Sequence, residues 1–193
     1  TEVLLLVGRN DDALALLAEW NARVPVWLEL GLEAADDALL ERIHRLHTVA
    51  EFTQAAARAH AAGLLVVGHA ILGLPGDGRE GARRTARALA AAGVAGVKVH
   101  QLMVLERTVL ASWWRAGEVA TLSADEYVRW LADFVERLAP DQVLHRLTGD
   151  SPPERLLAPH WGLHKNALRR LLGEELARRG TRQGALFAPA PSA

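Results

Sequence analysis

The chain has 193 residues and is 50% hydrophobic, enough apolar material for one domain with a full core. A formal net charge of −1 excludes broad electrostatic attraction to nucleic acid and leaves only local basic patches for that purpose. With no cysteine there can be no disulfide, thiolate metal site or cysteine nucleophile. No apolar run reaches about 18 residues and nothing reads as a signal peptide, so a cytoplasmic location is expected.

In chain order, Val3–Val7 reads as a strand. A domain rarely opens on a buried strand, and no methionine precedes it, so the chain is expected to start part-way into a longer protein. An Asn/Asp cap introduces a helix over Asp11–Ala22. Val24–Glu33 is a second strand and Asp36–His44 a short helix. Val49–Ala62 is a helix stopped by Gly63, and Leu64–Gly73 is the third strand. That strand ends in Gly73-Leu-Pro-Gly76, a turn typical of a ligand-facing βα loop: the glycines admit close approach and Pro75 stiffens it. Arg79–Ala92 is a helix stopped by Gly93, before a fourth strand over Val94–Leu102. Helices follow at Val109–Ala116 and Ser123–Leu138, the latter opened by a Ser123–Glu126 capping box. Gln142–Leu147 is a short fifth strand, Lys165–Arg179 an amphipathic helix, and 188–193 a disordered tail. A strand-to-strand repeat of about 30 residues is the length of a βα unit, giving an α/β protein with a parallel sheet and outer helices.

Alternation within the strands shows where chemistry could sit. In Trp27-Leu-Glu-Leu-Gly-Leu-Glu33, Leu28, Leu30 and Leu32 share one face, and Trp27, Glu29, Gly31 and Glu33 the other. His69 shares a face with Val67, Ile71 and Gly73; Lys98 lies with His100, opposite Val97 and Val99. The leucines belong outward under helices, which turns the polar residues of three strands inward. A filled barrel interior is mostly Val, Ile and Leu, and unpaired carboxylates there cost several kcal/mol, so a polar lumen argues for a binding site. Each residue also has a structural reading: Glu29 as ion-pair partner of Lys98, and His69 as a hydrogen-bonded core histidine. Trp113, Trp114 and Trp130 read as packing anchors, Arg83, Arg84 and Arg87 as a solvated helix face, and His44 with His47 as a helix-end pair lacking a third ligand.

Six blocks in one order carry a resemblance: Trp27–Glu33, Arg42-Ile-His-Arg-Leu-His47, His69–Gly76, Lys98-Val-His-Gln-Leu102, His145-Arg-Leu-Thr-Gly-Asp150 and Leu156-Leu-Ala-Pro-x-Trp161. Together they look like a bacterial family of radical S-adenosylmethionine (radical SAM) proteins with a C-terminal extension. The resemblance runs to about Gly184. It implies a partial (β/α)6 barrel over 1–105, the extension over 106–187, and a [4Fe–4S] cluster that cleaves S-adenosylmethionine to a 5′-deoxyadenosyl radical. It leaves the substrate unassigned, with a link of some members to wobble-uridine modification in tRNA. The family holds its cluster on a Cys-x-x-x-Cys-x-x-Cys loop, so this chain resembles the C-terminal portion without the cysteine half. A missing half, or another chain, is therefore expected at the open sheet edge.

Other departures are Glu33 where the family has Gln, His44-Arg-Leu-His47 for Asn-Arg-Gly-His, and Arg107-Thr108 for Gly-Thr. The resemblance places Glu33 at the ribose of S-adenosylmethionine and the backbone of Ile71–Gly73 against its adenine. Glu29, His69, Lys98 and His100 would face the substrate, with His145, Arg146 and Asp150 closing the edge of its pocket or forming a salt-bridged structural corner. Two other readings stand beside this one. The chain is a noncatalytic remnant binding a nucleoside-like ligand or a partner chain, or it is a barrel metal hydrolase with His69, His100 and His145 as ligands.

Overall fold

The computed structural model describes residues 10–189. The expected strand Val3–Val7 and all but the first two residues of the expected tail lie outside that range. Eight elements lead to the end of the main βα run. They are α1 (Asp11–Asn21), β1 (Trp27–Glu33), α2 (Asp37–Arg42), α3 (Val49–Ala61), β2 (Leu65–Leu72), α4 (Gly78–Ala91), β3 (Gly96–Gln101) and the two-residue β4 (Val104–Leu105). There follow α5 (Val109–Arg115), α6 (Ala124–Val135), β5 (Val143–Arg146), a 3-10 turn (Pro153–Arg155), β6 (Leu156–Ala158) and α7 (Lys165–Arg178). Local chemistry sets many of these boundaries. Asn10 and Asp36 cap α1 and α2 through their side chains, and Thr48–Glu51 and Ser123–Glu126 form complete capping boxes on α3 and α6. Just beyond α3 and α4 stand Gly63 and Gly93, both left-handed at φ 75° and 66°.

The main sheet has the order β1-β2-β3-β5, all parallel. Its fourth strand, Val143–Arg146, comes from the segment expected to form the extension, so the sheet spans both sides of the expected boundary at 105. A separate antiparallel pair, β4–β6, was not visible in the sequence reading. Its strands are two and three residues long, too short to show a period of two.

The leucine face behaves as its alternation demands. Leu28, Leu30 and Leu32 join Val66, Ala70, Val97 and Val99 in one core with Phe52 of α3, Leu89 of α4 and Tyr127, Leu131 and Phe134 of α6. Leu30 is 1% exposed, and burying such a side chain contributes about 1.5–3 kcal/mol. The other face curls. Trp27 at one edge of the sheet and His145 at the other bring their rings to 5.0 Å, whereas a flat sheet would hold those strands roughly 14 Å apart. The four strands therefore form an open trough, a partial barrel with its helices outside.

Outside the trough, the arginines do more than coat a helix. Asp133 of α6, its side chain 3% exposed, accepts hydrogen bonds from Arg79 at 2.5 Å, Arg83 at 2.9 Å and Arg179 at 2.7 Å. Arg84 bridges Asp36 and Asp77, while Arg87 pairs with Glu80. The expected solvated face holds for Arg87, which pairs with Glu80 of its own helix, while Arg83 joins Arg79 and Arg179 in cross-linking α4, α6 and the end of α7 through Asp133, a carboxylate far off in sequence. Burial raises the Asp133 pKa, but the hydrogen bonds from Arg79, Arg179 and Arg83 outweigh it and hold it at about 2. Asp77 is the opposite case: burial pushes it up to about 6 against the pull of Arg84.

Two predictions follow from these carboxylates. Asp133→Ala leaves three guanidinium groups without their shared anion, and should cost about 2–4 kcal/mol in urea unfolding at pH 7. Because the folded pKa lies below the unfolded one, the wild-type share of that stability should vanish between about pH 4 and pH 2. An unfolding free energy equal to wild type at pH 7 would refute the cross-link. The second concerns Gly81, inside α4, where an added Cβ would fall on the Asp77 carboxyl. Gly→Ala inside a helix ordinarily stabilises by about 0.5–1 kcal/mol. Gly81→Ala should destabilise here, and should turn stabilising in an Asp77→Ala background, read from paired melting curves.

Candidate functional site

The trough gathers four of the expected residues into one cluster. Glu29 of β1 is paired with Lys98 of β3 through a short ion pair and with His69 Nε2 of β2 at 3.0 Å. His69 in turn lies over His100, ring centroids 6.0 Å apart and nearly parallel. Register explains the meeting: Gly31 stands opposite His69, His69 opposite Lys98, and Ile71 opposite His100, so one face of three strands delivers them side by side. Hydrogen bonding from Lys98 lowers the Glu29 pKa, with burial opposing, so Glu29 is a carboxylate at neutral pH. Burial, followed by the neighbouring His69, Arg146 and Lys98, depresses His100 to about 4, against the opposite pull of Asp150. His100 is therefore a neutral imidazole, and its buried Nε2 finds no hydrogen-bond partner among the described residues. The cluster offers a carboxylate, an ammonium and an imidazole nitrogen free to bind a polar ligand atom.

Beside this cluster opens a cavity of about 950 Å³ at the carboxyl ends of β3 and β5, walled by Gln101, Met103, the 148–151 loop and the 159–166 segment. Carboxyl ends of barrel strands are where βα loops build sites. Gln101 organises the near wall. Its side-chain oxygen accepts from the Gly149 N–H and the Thr148 hydroxyl, both at 2.8 Å, and its amide donates to the Gly149 carbonyl at 3.1 Å. Gly149 is pressed against the site: a Cβ there would stand 3.2 Å from His100 Nδ1. Trp161, from the sixth sequence block, lines the far side and is fixed by an indole hydrogen bond to the Leu122 carbonyl at 3.0 Å. The sequence reading missed Gln101, Thr148 and Met103; Gln101 was visible only as one residue within the Lys98–Leu102 block.

The remaining expected residues are placed as follows. Glu33 sits after a bulge in β1, with φ 67°, and its carboxylate folds back over Gly31 to pair with Arg45 at 3.1 Å. Such a conformation in a non-glycine residue stores strain of order 1–3 kcal/mol, a pattern that clusters at functional sites. Ile71 packs into a small apolar cluster with Leu74, Leu102 and Trp113. Gly73, at φ 90°, makes room for Leu122, which stands 3.2 Å from where a Cβ would be. His145 lies over Gly96 and edge-on to Trp27. Asp150 pairs with Lys165 at 2.5 Å, while Arg146 stands close enough to help depress His100. His47, read as half of a helix-end pair, is 5% exposed, and its pKa is lowered, first by burial and then by Arg45. Among the described residues no three His, Cys, Asp or Glu side chains converge to hold a metal, and His145 faces Trp27 rather than the His69–His100 pair.

The chain has no thiolate, so its residues do not fit a [4Fe–4S] cluster. A polar ligand at the end of β1 does fit. The Glu33 carboxylate is there, and the buried Arg45 Nε beside it lacks a hydrogen-bond partner among the described residues, an orphaned donor that calls for one. No helix of the described residues is long and apolar enough to cross a membrane.

A parallel βα run, a curled sheet and polar groups on its concave face define part of a (β/α) barrel. Residues 3–89 match the Radical SAM superfamily and residues 94–178 match the Radical_SAM C-terminal domain. The chain belongs to the radical SAM superfamily. It is 34% identical over 177 residues to YtqA, an uncharacterized protein of Bacillus subtilis, covering 92% of this chain and 55% of YtqA. To a tRNA uridine(34) acetyltransferase of Dehalococcoides mccartyi it is 27% identical over 134 residues, 65% of this chain and 28% of that enzyme. Among solved structures, an N-terminally deleted Elp3 of the archaeon Methanocaldococcus infernus superposes with a TM-score of 0.73 at 20% identity. The match covers 84% of this chain and 38% of that one, and at such identity it shows the fold. The chain spans about half the length of the curated relatives with which it shares 34% identity.

The electrostatics of the trough can be read directly. In a pH titration followed by histidine nitrogen chemical shifts, His100 should stay neutral down to about pH 4. Lys98→Met should raise its midpoint by removing a nearby positive charge. A midpoint near the ordinary value of about 6.5 would mean the imidazole is not buried as described.

Proposed function

We propose that this chain is the carboxyl-terminal part of a radical S-adenosylmethionine enzyme, and that its trough holds and orients the substrate. The polar cluster of Glu29, His69, Lys98 and His100 carries the reading, because it lies on the concave face of the curled parallel sheet, the side that a closed barrel would enclose. When bound, a [4Fe–4S] cluster with S-adenosylmethionine supplies a 5′-deoxyadenosyl radical. The cysteines for that cluster would come from a half, or another chain, seated at the open sheet edge. In this reading Glu33 accepts hydrogen bonds from the ribose of S-adenosylmethionine, and the backbone of Ile71–Gly73 lies against its adenine. His100 presents a neutral imidazole to the substrate, Lys98 and Glu29 fix a polar group beside it, and Arg146 and Asp150 border the pocket. A tRNA substrate is supported by the likeness to the tRNA uridine(34) acetyltransferase. The absence of cysteine favours a second reading, a noncatalytic remnant that keeps the nucleoside-binding trough.

The test joins this chain to the portion of YtqA that lies outside the matched stretch, followed by reconstitution with iron and sulfide under reduction. Iron–sulfur absorbance and release of 5′-deoxyadenosine are expected. Glu33→Ala should weaken S-adenosylmethionine binding at least tenfold, measured by equilibrium dialysis on the fusion and on the 193-residue chain alike. A fusion that gains the cluster and binds S-adenosylmethionine without cleaving it would favour the remnant. Binding indifferent to Glu33 would remove the ribose assignment.

A further inference from the structure

A second recess, of about 340 Å³, lies between the carboxyl end of β5 and the first turn of α7, with Arg146, Thr148, Lys165, Asn166 and Arg169 among its walls. It shares Thr148, Lys165 and Asn166 with the larger cavity, so the two are contiguous. Its charge is unbalanced. Lys165 has Asp150 as partner at 2.5 Å, while Arg146 and Arg169 have no ion-pair partner among the described residues. Three cations against one carboxylate leave two positive charges unmatched along the solvent-exposed rim of one recess.

Backbone donors point the same way. The cap of α7, His164, makes no side-chain hydrogen bond, and the first turn carries no acidic residue. The first amide groups with an acceptor are those of Ala167 and Leu168, both to the His164 carbonyl at 2.9 and 3.1 Å. The N–H groups of Lys165 and Asn166 therefore remain available at the positive end of a 14-residue helix. Two forked guanidinium groups, an ammonium and free amides around a recess match a tetrahedral dianion better than a carboxylate, which offers only two oxygens.

We infer that this recess is a phosphate subsite of the substrate cavity: it takes a phosphate group of a ligand whose remainder lies along the 950 Å³ cavity, against the Gly149 wall that adjoins His100. The identity of that ligand as the enzyme's substrate rests on the function proposed above; the phosphate contact itself does not. A phosphate held here anchors the ligand through one end, which fixes the orientation of the part that lies in the larger cavity.

The test uses the 193-residue chain as it stands, titrated calorimetrically with uridine 5′-monophosphate, uridine and inorganic phosphate. The nucleotide should bind at least tenfold more tightly than the nucleoside. An Arg146→Ala/Arg169→Ala variant should erase that difference while melting at the wild-type temperature, since neither arginine supports the core. Inorganic phosphate should compete with the nucleotide in the wild type and bind more weakly than it. Equal affinity for nucleotide and nucleoside, or a double variant that binds as wild type does, overturns the subsite. Inorganic phosphate binding as tightly as the nucleotide also overturns it, showing a free-anion site detached from the cavity. None of these readouts needs a cluster or turnover. A fusion inert in radical chemistry with the nucleotide preference intact would sink the function and spare the subsite, and the converse result would sink the subsite alone.

Discussion

The constraint on which the rest depends is the sidedness of four parallel strands. One face is sealed beneath α3, α4, α6 and α7 by Leu28, Leu30, Leu32, Val66, Val97 and their partners. A carboxylate or ammonium placed there would lose its hydration with nothing to replace it. Every ionisable strand side chain is thus confined to the concave face, and the curl that brings Trp27 to His145 then crowds them together. Crowding makes Glu29 useful twice over, since it neutralises Lys98 and fixes His69. Site and core are two consequences of the same alternation.

That alternation is why so much was legible in advance. β1, β2 and β3 are 7, 8 and 6 residues long and alternate with a period of two around their polar residues, so both the strands and the facing of Glu29, His69, Lys98 and His100 could be read without coordinates. Helix caps at Asn10 and Ser123 were equally local and equally readable. What escaped depends on partners distant in sequence. Nothing near Arg79, Arg83 or Arg179 announces that they converge on Asp133, 54, 50 and 46 residues away. Glu33 was read on the concave face without its partner Arg45, because the bulge that turns it toward that arginine is a backbone property that side-chain types do not encode. β4 and β6 pair over spans too short to carry a pattern.

Asp77 and Asp133 show how one residue type takes opposite roles from its surroundings. Both side chains are almost wholly enclosed, at 1% and 3% exposure. Asp133 meets three guanidinium groups with good geometry and is held ionised, tying α4 to α6 and the end of α7. Asp77 has one distant arginine at 3.4 Å and an unpartnered Oδ2, so ionising it opposes folding as pH rises through about 6. It sits at the cap of α4, directly after the Gly73–Gly76 turn that follows β2.

Gln101 grips Gly149 by both its N–H and its carbonyl, as a neighbouring strand would, so a side chain carries the contact three residues past Lys98–Arg146, the last backbone pair of β3 and β5. A loop anchored in this way has no inexpensive swing available to it. The wall nearest His100 is accordingly no lid: its ordering entropy was surrendered when the chain folded, and an arriving ligand does not have to supply it again. On this side the cavity discriminates by shape already in place, and across from it Trp161, tied to the Leu122 carbonyl, does the same.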